Sequence, residues 1–269
     1  MESFSADWLA LREPVDHEVR NAPLTARLAQ AQHGRHGLRA VDLAGGTGSN
    51  VRYLLPRLPA VARWTLLDHD PALLDRATRM TAPVARAAGV TFDTDAVDLR
   101  DASTLWLDGV ALVTAAAFLD LVSEPWLRAF ARRCREGRVD VLCALTYNGR
   151  IDCDPADVDD RVVRDLVNRH QRTDKGFGVA LGPDAAGIAA DSLSDEGFEV
   201  QTAESDWVLD GRHADLQRQL LEGWAGAART MSPPDSPAID AWLARRQAQL
   251  AAAALSVRVG HTDLVATIG

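Results

Sequence analysis

The residues best placed to do chemistry lie in one short run, Val41-Asp42-Leu43-Ala44-Gly45-Gly46-Thr47-Gly48-Ser49-Asn50, with Asp68 standing 20 residues after Gly48. An apolar stretch ends in an acid, a glycine-rich turn follows, and the chain then enters a helical pattern. An open α/β sheet builds a nucleotide site in this way at the carboxyl end of its first strand, where the backbone must turn sharply and let a ligand approach without a Cβ in between. Read from Gly46, the dinucleotide pattern G-x-G-x-x-G runs Gly46-Thr47-Gly48-Ser49-Asn50-Val51. A valine therefore takes the third glycine position, and the helix cannot pack in the usual close way. A carboxylate at Asp42, at the strand end, also suits a cationic ligand better than a pyrophosphate.

With Asp42, Gly46 and Gly48 in place, the segment resembles motif I (D/E-x-G-x-G-x-G) of the class I S-adenosylmethionine-dependent methyltransferases. The resemblance implies S-adenosylmethionine as cofactor, whose ammonium and sulfonium agree with the acid. Ala44 departs from the pattern at the first glycine and predicts a slightly altered loop, with Gly45 adding freedom beside it. In Trp64-Thr65-Leu66-Leu67-Asp68-His69-Asp70-Pro71 a strand ends in an acid and a turn leads into a helix with Pro71 early in it. The resemblance gives Asp68 the two ribose hydroxyls, with His69 beside it, while Asp70 caps the helix, or the two acids exchange these roles. It gives Asp98 the adenine amino group, with the backbone of Leu99 beside the ring and Asp95 as the other choice. After the apolar run from Gly109 to Val122, Thr114 to Ala116 would flank the methionine part and Asp120 would face the acceptor. Thr-Ala-Ala-Ala-Phe stands where nucleic-acid amine methyltransferases carry Asn/Asp-Pro-Pro-aromatic, which counts against that chemistry. Arg20 would hold the methionine carboxylate or else belong to a solvated helix face.

A second cluster, Asn168-Arg169-His170-Gln171-Arg172-Thr173-Asp174-Lys175-Gly176-Phe177-Gly178, packs titratable groups and two glycines into a stretch after the fifth strand. His170 has the ordinary pKa of a general base at neutral pH. Arg172 and Lys175 suit an acceptor carboxylate or phosphate, Tyr147 could orient or deprotonate the acceptor, and the glycines would let the loop move as a lid. The same residues also read as a helix C-terminus followed by a glycine stop. Trp8, Trp207 and Trp224 either line an acceptor pocket or fill the core. His17, His69, His213 and His261 carry no partner signature and read as structural or surface groups, although His69 also adjoins the ribose acid.

The elements that must position these groups alternate. Strands are expected at 39–44, 63–68, 90–93, 110–115 and 138–146, with helices near 48–57, 71–87 and 123–135, which is the βαβ pattern of a parallel sheet. Helices follow at 156–171 and 183–197, a sixth strand at 199–209, helices at 212–229 and 236–254, and a final strand from Ser256 to Ile268. Residues 5–33 are helical, broken by Pro14 and Pro23. The fold class is thus α/β, Rossmann-like, with a seven-stranded mostly parallel sheet, helices on both faces and an antiparallel last strand. Extra N-terminal helices form a cap (1–37) over a cofactor-binding domain (38–269), which carries a helical acceptor-side insert at about 148–182.

Composition sets outer limits. The 269 residues carry a net charge of −9, which argues against nucleic acid, since binding its backbone needs a basic face. No apolar run approaches the roughly 18 residues of a membrane span, and the first residues, Met1 to Asp7, lack the features of a signal peptide. Cys134, Cys143 and Cys153 form no metal spacing and read as reduced thiols of a cytoplasmic protein; no metal is expected. The expectation is a cytoplasmic methyltransferase, monomer or homodimer, acting on a small molecule. An enzyme that uses S-adenosylmethionine without methylating, a nicotinamide-dependent reductase and a non-catalytic cofactor-binding subunit are the alternatives.

Overall fold

The computed structural model describes residues 5–268; the readings made of Met1 to Phe4 and of Gly269 lie outside them. In chain order the elements are α1 (Ala6–Val19), α2 (Ala22–Ala31), β1 (Leu38–Leu43), α3 (Ser49–Leu54), β2 (Val61–Asp68), α4 (Pro71–Ala87), β3 (Thr91–Ala96), β4 (Leu112–Ala116), α5 (Glu124–Gly137), β5 (Asp140–Asp154), α6 (Asp160–Gln171), α7 (Ala185–Asp195), β6 (Glu199–Glu204), β7 (Trp207–Leu209), α8 (Ala214–Met231), α9 (Ser236–Ala251) and β8 (Ser256–Thr267). The sheet runs β3-β2-β1-β4-β5-β8-β6, with β7 also paired to β8. β1 to β5 pair in parallel, and β8 lies antiparallel between β5 and β6, as expected for the last strand. The strand order reverses between β1 and β4, which opens a crevice at their carboxyl ends.

Alternation along the strands covers both faces. Ala40, Leu66, Leu112 and Leu142 pack with Leu28 of α2, Val51 of α3 and Ala77 of α4. Val41, Leu43, Val113 and Val141 pack with Leu127 and Phe130 of α5 and Ala189 of α7. A third apolar cluster lies where β5 and β8 run on together. Ile151, Val257 and Val259 meet Val15 of α1, Leu166 of α6, Trp224 of α8 and Trp242 of α9 there.

The structure departs from the sequence reading in three places. Pro14 sits inside α1 without ending it; the break falls at Arg20, where Asn21 caps α2 through the Leu24 amide. α1 survives its lost backbone bond because side chains on both sides of Pro14 are anchored: Glu13 takes both arms of Arg52 at 2.9 and 2.5 Å, and Asp16 accepts the Trp207 indole N–H at 3.1 Å. The expected sixth strand is two, making eight strands in the sheet. At the break the Ser205 hydroxyl donates to Asp263 and the His261 amide to Asp206, so side chains replace ladder bonds. β5 continues to Asp154 where an insert was expected to begin, kinked by register shifts after Cys143 and Tyr147.

The first of those kinks depends on Asp263. Its buried carboxylate accepts the Leu145 amide (2.8 Å), the Ser205 hydroxyl (2.6 Å) and the Asn21 amide (2.9 Å), and lies 3.7 Å from the Arg20 Nε. One side chain thus fixes the bulge of β5, the break between β6 and β7 and the junction of α1 with α2. Asp263→Ala is expected to lower stability by at least about 3 kcal/mol, because it strands a buried cation and buried donors together. Urea unfolding of the two proteins side by side is the check.

Candidate functional site

The glycine turn sits at the crevice between β1 and β4. Gly45 is required by close approach, since a Cβ there would stand 2.5 Å from Leu66 Cγ and 2.6 Å from Asp42 Oδ2. Gly48 begins α3 at φ +82°, with Thr81 Oγ1 2.5 Å from where its Cβ would be. Ala44, at the departure from the motif, adopts φ +48°, so alanine takes the left-handed turn that glycine would make without strain. Ala117 (φ +51°) and Leu145 (φ +55°), at the ends of the two neighbouring strands, share the conformation. All three border the same cavity.

That cavity encloses about 1100 Å³ counted out to its mouth. Its floor is the turn, Ala44 to Thr47, with Ser49 and Asn50. Asp68, His69 and Leu73 form one side, Phe118 and Phe177 another, and α1 roofs it through Leu9, Arg12, Asp16 and His17. Asp68 Oδ2 accepts the Gly46 amide at 2.9 Å and Oδ1 the Asp70 amide at 3.0 Å. Each oxygen keeps accepting capacity toward the cavity. His69 Nδ1 lies 3.2 Å from Asp68, and Asp70 caps α4 as expected. Arg20 enters the wall with its side chain 2% exposed. Its Nη1 donates to Asn50 Oδ1 at 2.7 Å, while its buried Nη2 has no partner.

Asp42 does not face this cavity. It is buried under the turn, where Oδ1 accepts from Asn50 Nδ2 and Thr114 Oγ1, both at 2.6 Å, and Oδ2 has no partner. Burial pushes its pKa up to about 6 against the bonds from Thr114 and Asn50. The attraction of a cationic ligand to Asp42, expected from sequence, gives way to an internal chain Arg20–Asn50–Asp42–Thr114 that holds the turn. Asp98 and Leu99 border neither cavity. Asp98 is exposed and gripped by Arg100, which holds its pKa down to about 2. Leu99 is buried and gives its carbonyl to the Trp126 indole at 2.7 Å.

A second cavity adjoins the first and shares Arg12, Ala117, Leu121, Leu145 and Lys175 with it. Trp8, Trp207 and Trp224 line it. Trp207 and Trp224 are also in the third core cluster, with Trp8 packed against it, so these indoles belong to the core and border a cavity at once. Asp120, Tyr147, His170 and His261 supply its polar groups. Asp120 is buried with Oδ1 unpartnered, and desolvation pushes its pKa up to about 6. The Tyr147 hydroxyl donates to Asn168 at 2.8 Å, and burial drives its pKa well above the usual phenol value, so the geometry suits orienting rather than deprotonating an acceptor. His170 ends α6, with Nδ1 3.3 Å from Lys175 Nζ; the cluster is therefore a helix terminus that also borders a cavity. Arg172 lines neither cavity and is bound to exposed Asp184 at 2.8 Å.

Sequence reasoning missed Arg12, Asp16, His17 and His261. The first three share the underside of α1, and the i, i+4 spacing of Arg12 and Asp16 was a signal. His261 follows Gly260, and a lone glycine within a strand marks close approach; a Cβ there would stand 2.1 Å from Asn148 Oδ1. Burial pushes His261 down to about 3, aided by Arg12, and its Nδ1 has no partner. Among the described residues no group of acidic, histidine and cysteine side chains could hold a metal ion, and no helix is long and apolar enough to cross a membrane. All three cysteines are free.

No family model matches the chain and no curated protein sequence does. Solved structures do. YcgJ from Bacillus subtilis superposes over 93% of this chain and 100% of its own, with a TM-score of 0.51 and 13% identity. A methyltransferase from Thiobacillus denitrificans in complex with S-adenosylhomocysteine covers 98% and 99% at a TM-score of 0.48 and 14% identity. The cyclopropane synthase MmaA2 from Mycobacterium tuberculosis covers 90% and 82% at 0.49 and 11%. At such identities the likeness is one of fold. It agrees with the strand order, which is that of the class I methyltransferase fold.

Two substitutions probe the turn. Ala44→Gly is expected to keep the fold and to change stability by less than about 1 kcal/mol, since relief of the left-handed strain is offset by the freedom of glycine in the unfolded chain; thermal unfolding measures it. Asp42 binds a proton more tightly folded, at about 6, than unfolded, at about 3.9. Its contribution to stability is therefore full at low pH and falls as pH rises across that window. A gap of about two units is worth roughly 3 kcal/mol. Asp42→Asn, which keeps an oxygen for Asn50 and Thr114, is expected to remove that fall in urea melts run from pH 4 to pH 7.

Proposed function

We propose that this chain, which has the fold of class I S-adenosylmethionine-dependent methyltransferases, is itself such an enzyme and methylates a small molecule. One observation carries the reading. A cavity at the sheet's reversal point joins a carboxylate with spare accepting capacity (Asp68) to a buried cation with an unused donor (Arg20 Nη2), and opens directly into a second, indole-lined cavity. The residues fit the cofactor. Asp68 would take the ribose hydroxyls, Arg20 Nη2 the amino-acid carboxylate, and the Ala44 to Thr47 turn would pass beneath the nucleoside. Asp16 borders the same space with its carboxylate held by Arg12 and the Trp207 indole.

When bound, S-adenosylmethionine supplies an electrophilic methyl carbon on a sulfonium, so alignment and exclusion of water are what remains for the protein. α1 does both. Glu13 ties it to Arg52, whose Nη1 also donates to the Thr47 carbonyl at 2.6 Å. Leu9 lies 3.0 Å from where a Cβ on Gly46 would be. The helix is thus strapped across the turn and closes the cavity from above. In the second cavity Asp120 is placed to hold or accept an acceptor proton near neutral pH, and Tyr147 and His170 to orient the acceptor.

Calorimetric titration with S-adenosylmethionine, S-adenosylhomocysteine and NADH tests the reading. The first two are expected to bind at micromolar concentration and NADH not at all; binding of NADH alone would overturn the function. In Asp68→Ala the loss of two hydrogen bonds to a charged group, at about 1.5 kcal/mol each, is expected to weaken S-adenosylhomocysteine binding by roughly a hundredfold.

A further inference from the structure

We infer that the second cavity takes an aromatic oxyanion, a ring whose hydroxyl is held ionised, with Lys175 as the charge that holds it. The inference rests on the acceptor role proposed for that cavity and names the acceptor's class.

Lys175 is 7% exposed. Among the described residues its Nζ makes the 3.3 Å contact with His170 Nδ1 and has no carboxylate within 4 Å. Asp120 feels the charge of Lys175 but makes no ion pair with it, and an ammonium withdrawn from water without a carboxylate in contact is costly, a cost that a bound anion would offset. Lys175 borders both cavities, so an oxyanion on its Nζ lies at their junction, where a methyl-accepting atom has to be.

The walls specify the rest of the ligand. Trp8, the half-buried one of the three indoles that line the cavity, offers apolar surface to a ring, and the buried Trp207 and Trp224 back the wall behind it. Trp207 is fixed from two sides, by its indole N–H on Asp16 and by the Arg12 guanidinium 5.0 Å above its ring. Beside Lys175, the charged and titratable groups that line the cavity are Arg12 of α1, Asp120 after β4, Tyr147 of β5, His170 of α6 and His261 of β8; α8 and β7 add none. Arg12 and Lys175 together disfavour a quaternary ammonium, which an indole cage would otherwise suit. His261 is neutral, and an anion beside Asp120 raises its proton affinity further, turning it into a donor. Asp120 Oδ1 and His261 Nδ1, both buried and unpartnered, are then available to a second polar substituent on the ring.

The probe is 4-nitrophenol, whose phenol and phenolate forms absorb at different wavelengths. It is titrated with the full chain plus S-adenosylhomocysteine, buffered below the ionisation midpoint of the free probe. Bound probe is expected to show the phenolate band. Lys175→Met should abolish that band and weaken binding by at least about tenfold, the worth of one charge-assisted hydrogen bond, whereas Lys175→Arg keeps part of it; circular dichroism checks that each variant is folded. Binding without the band, an unchanged band in Lys175→Met, no binding of the probe, or preferential binding of benzyltrimethylammonium overturns the inference. Failure of S-adenosylhomocysteine to bind while the probe still ionises on the protein would instead remove the methyltransferase reading and leave the oxyanion site.

Discussion

Burying a guanidinium costs several kcal/mol unless its surroundings are arranged to receive it, and the arrangement around Arg20 organises the molecule. Tyr53 lies under its plane at 4.5 Å, Asn50 accepts from Nη1, and Asp263 stands 3.7 Å from Nε. Asn50 passes the interaction to Asp42, and Asp42 to Thr114. Asp263 passes it to the bulge of β5 and to the break after β6. The first helical layer, the glycine turn, the two central strands and the antiparallel strand are thus tied to one side chain. Nε has only the 3.7 Å ion pair and Nη2 no partner at all, on a side chain that borders the first cavity.

The backbone around the cavity carries the complementary strain. Ala44, Ala117 and Leu145 hold a left-handed conformation that costs non-glycine residues roughly 1–2 kcal/mol each. They end β1, follow β4 and kink β5, three adjacent strands at the reversal point. Strain persists where the surroundings over-determine it, and here they do. The Leu145 amide is tied to Asp263, and the Ala117 amide bonds to the Ala144 carbonyl at 2.9 Å. Two of the three, Ala117 and Leu145, border both cavities.

The fold was legible because its signals are local. A strand buried on both faces is apolar throughout, an acid followed by glycines ends it, and Asp70-Pro71 opens the next helix. Asp68 was legible as the acid that ends β2 and borders the first cavity, whereas Arg20, read either as a ligand group or as part of a solvated face, is buried in its wall, and the inward turn of Asp42 was not legible. Sequence places it at the strand end but cannot say that Asn50 and Thr114 turn it inward, a matter of register between β1 and β4. The second cavity was legible only in fragments. Trp8, Trp207, Trp224 and His261 come from α1, β7, α8 and β8, and only the long β5–β8 pairing brings them together. Arg172 illustrates the opposite failure. Its position three residues before Lys175 puts it beyond the end of α6, where Asp184 claims it.

Charge on two length scales explains why composition could exclude one partner class and not name another. A net charge of −9 works against nucleic acid because a polyanion meets the whole face of the protein. A small anion inside a cavity meets only what lies within a screening length of about 8 Å, and there the sum differs. Arg12 and Lys175 border both cavities; Arg12 is bridged to Asp16, which leaves Lys175 as the cation without a carboxylate partner within 4 Å, and burial raises the pKa of Asp120 to about 6. An acidic protein can therefore carry a local cationic site in its interior, and the anionic acceptor inferred above rests on Lys175 at the junction of the cavities, not on the charge of the surface.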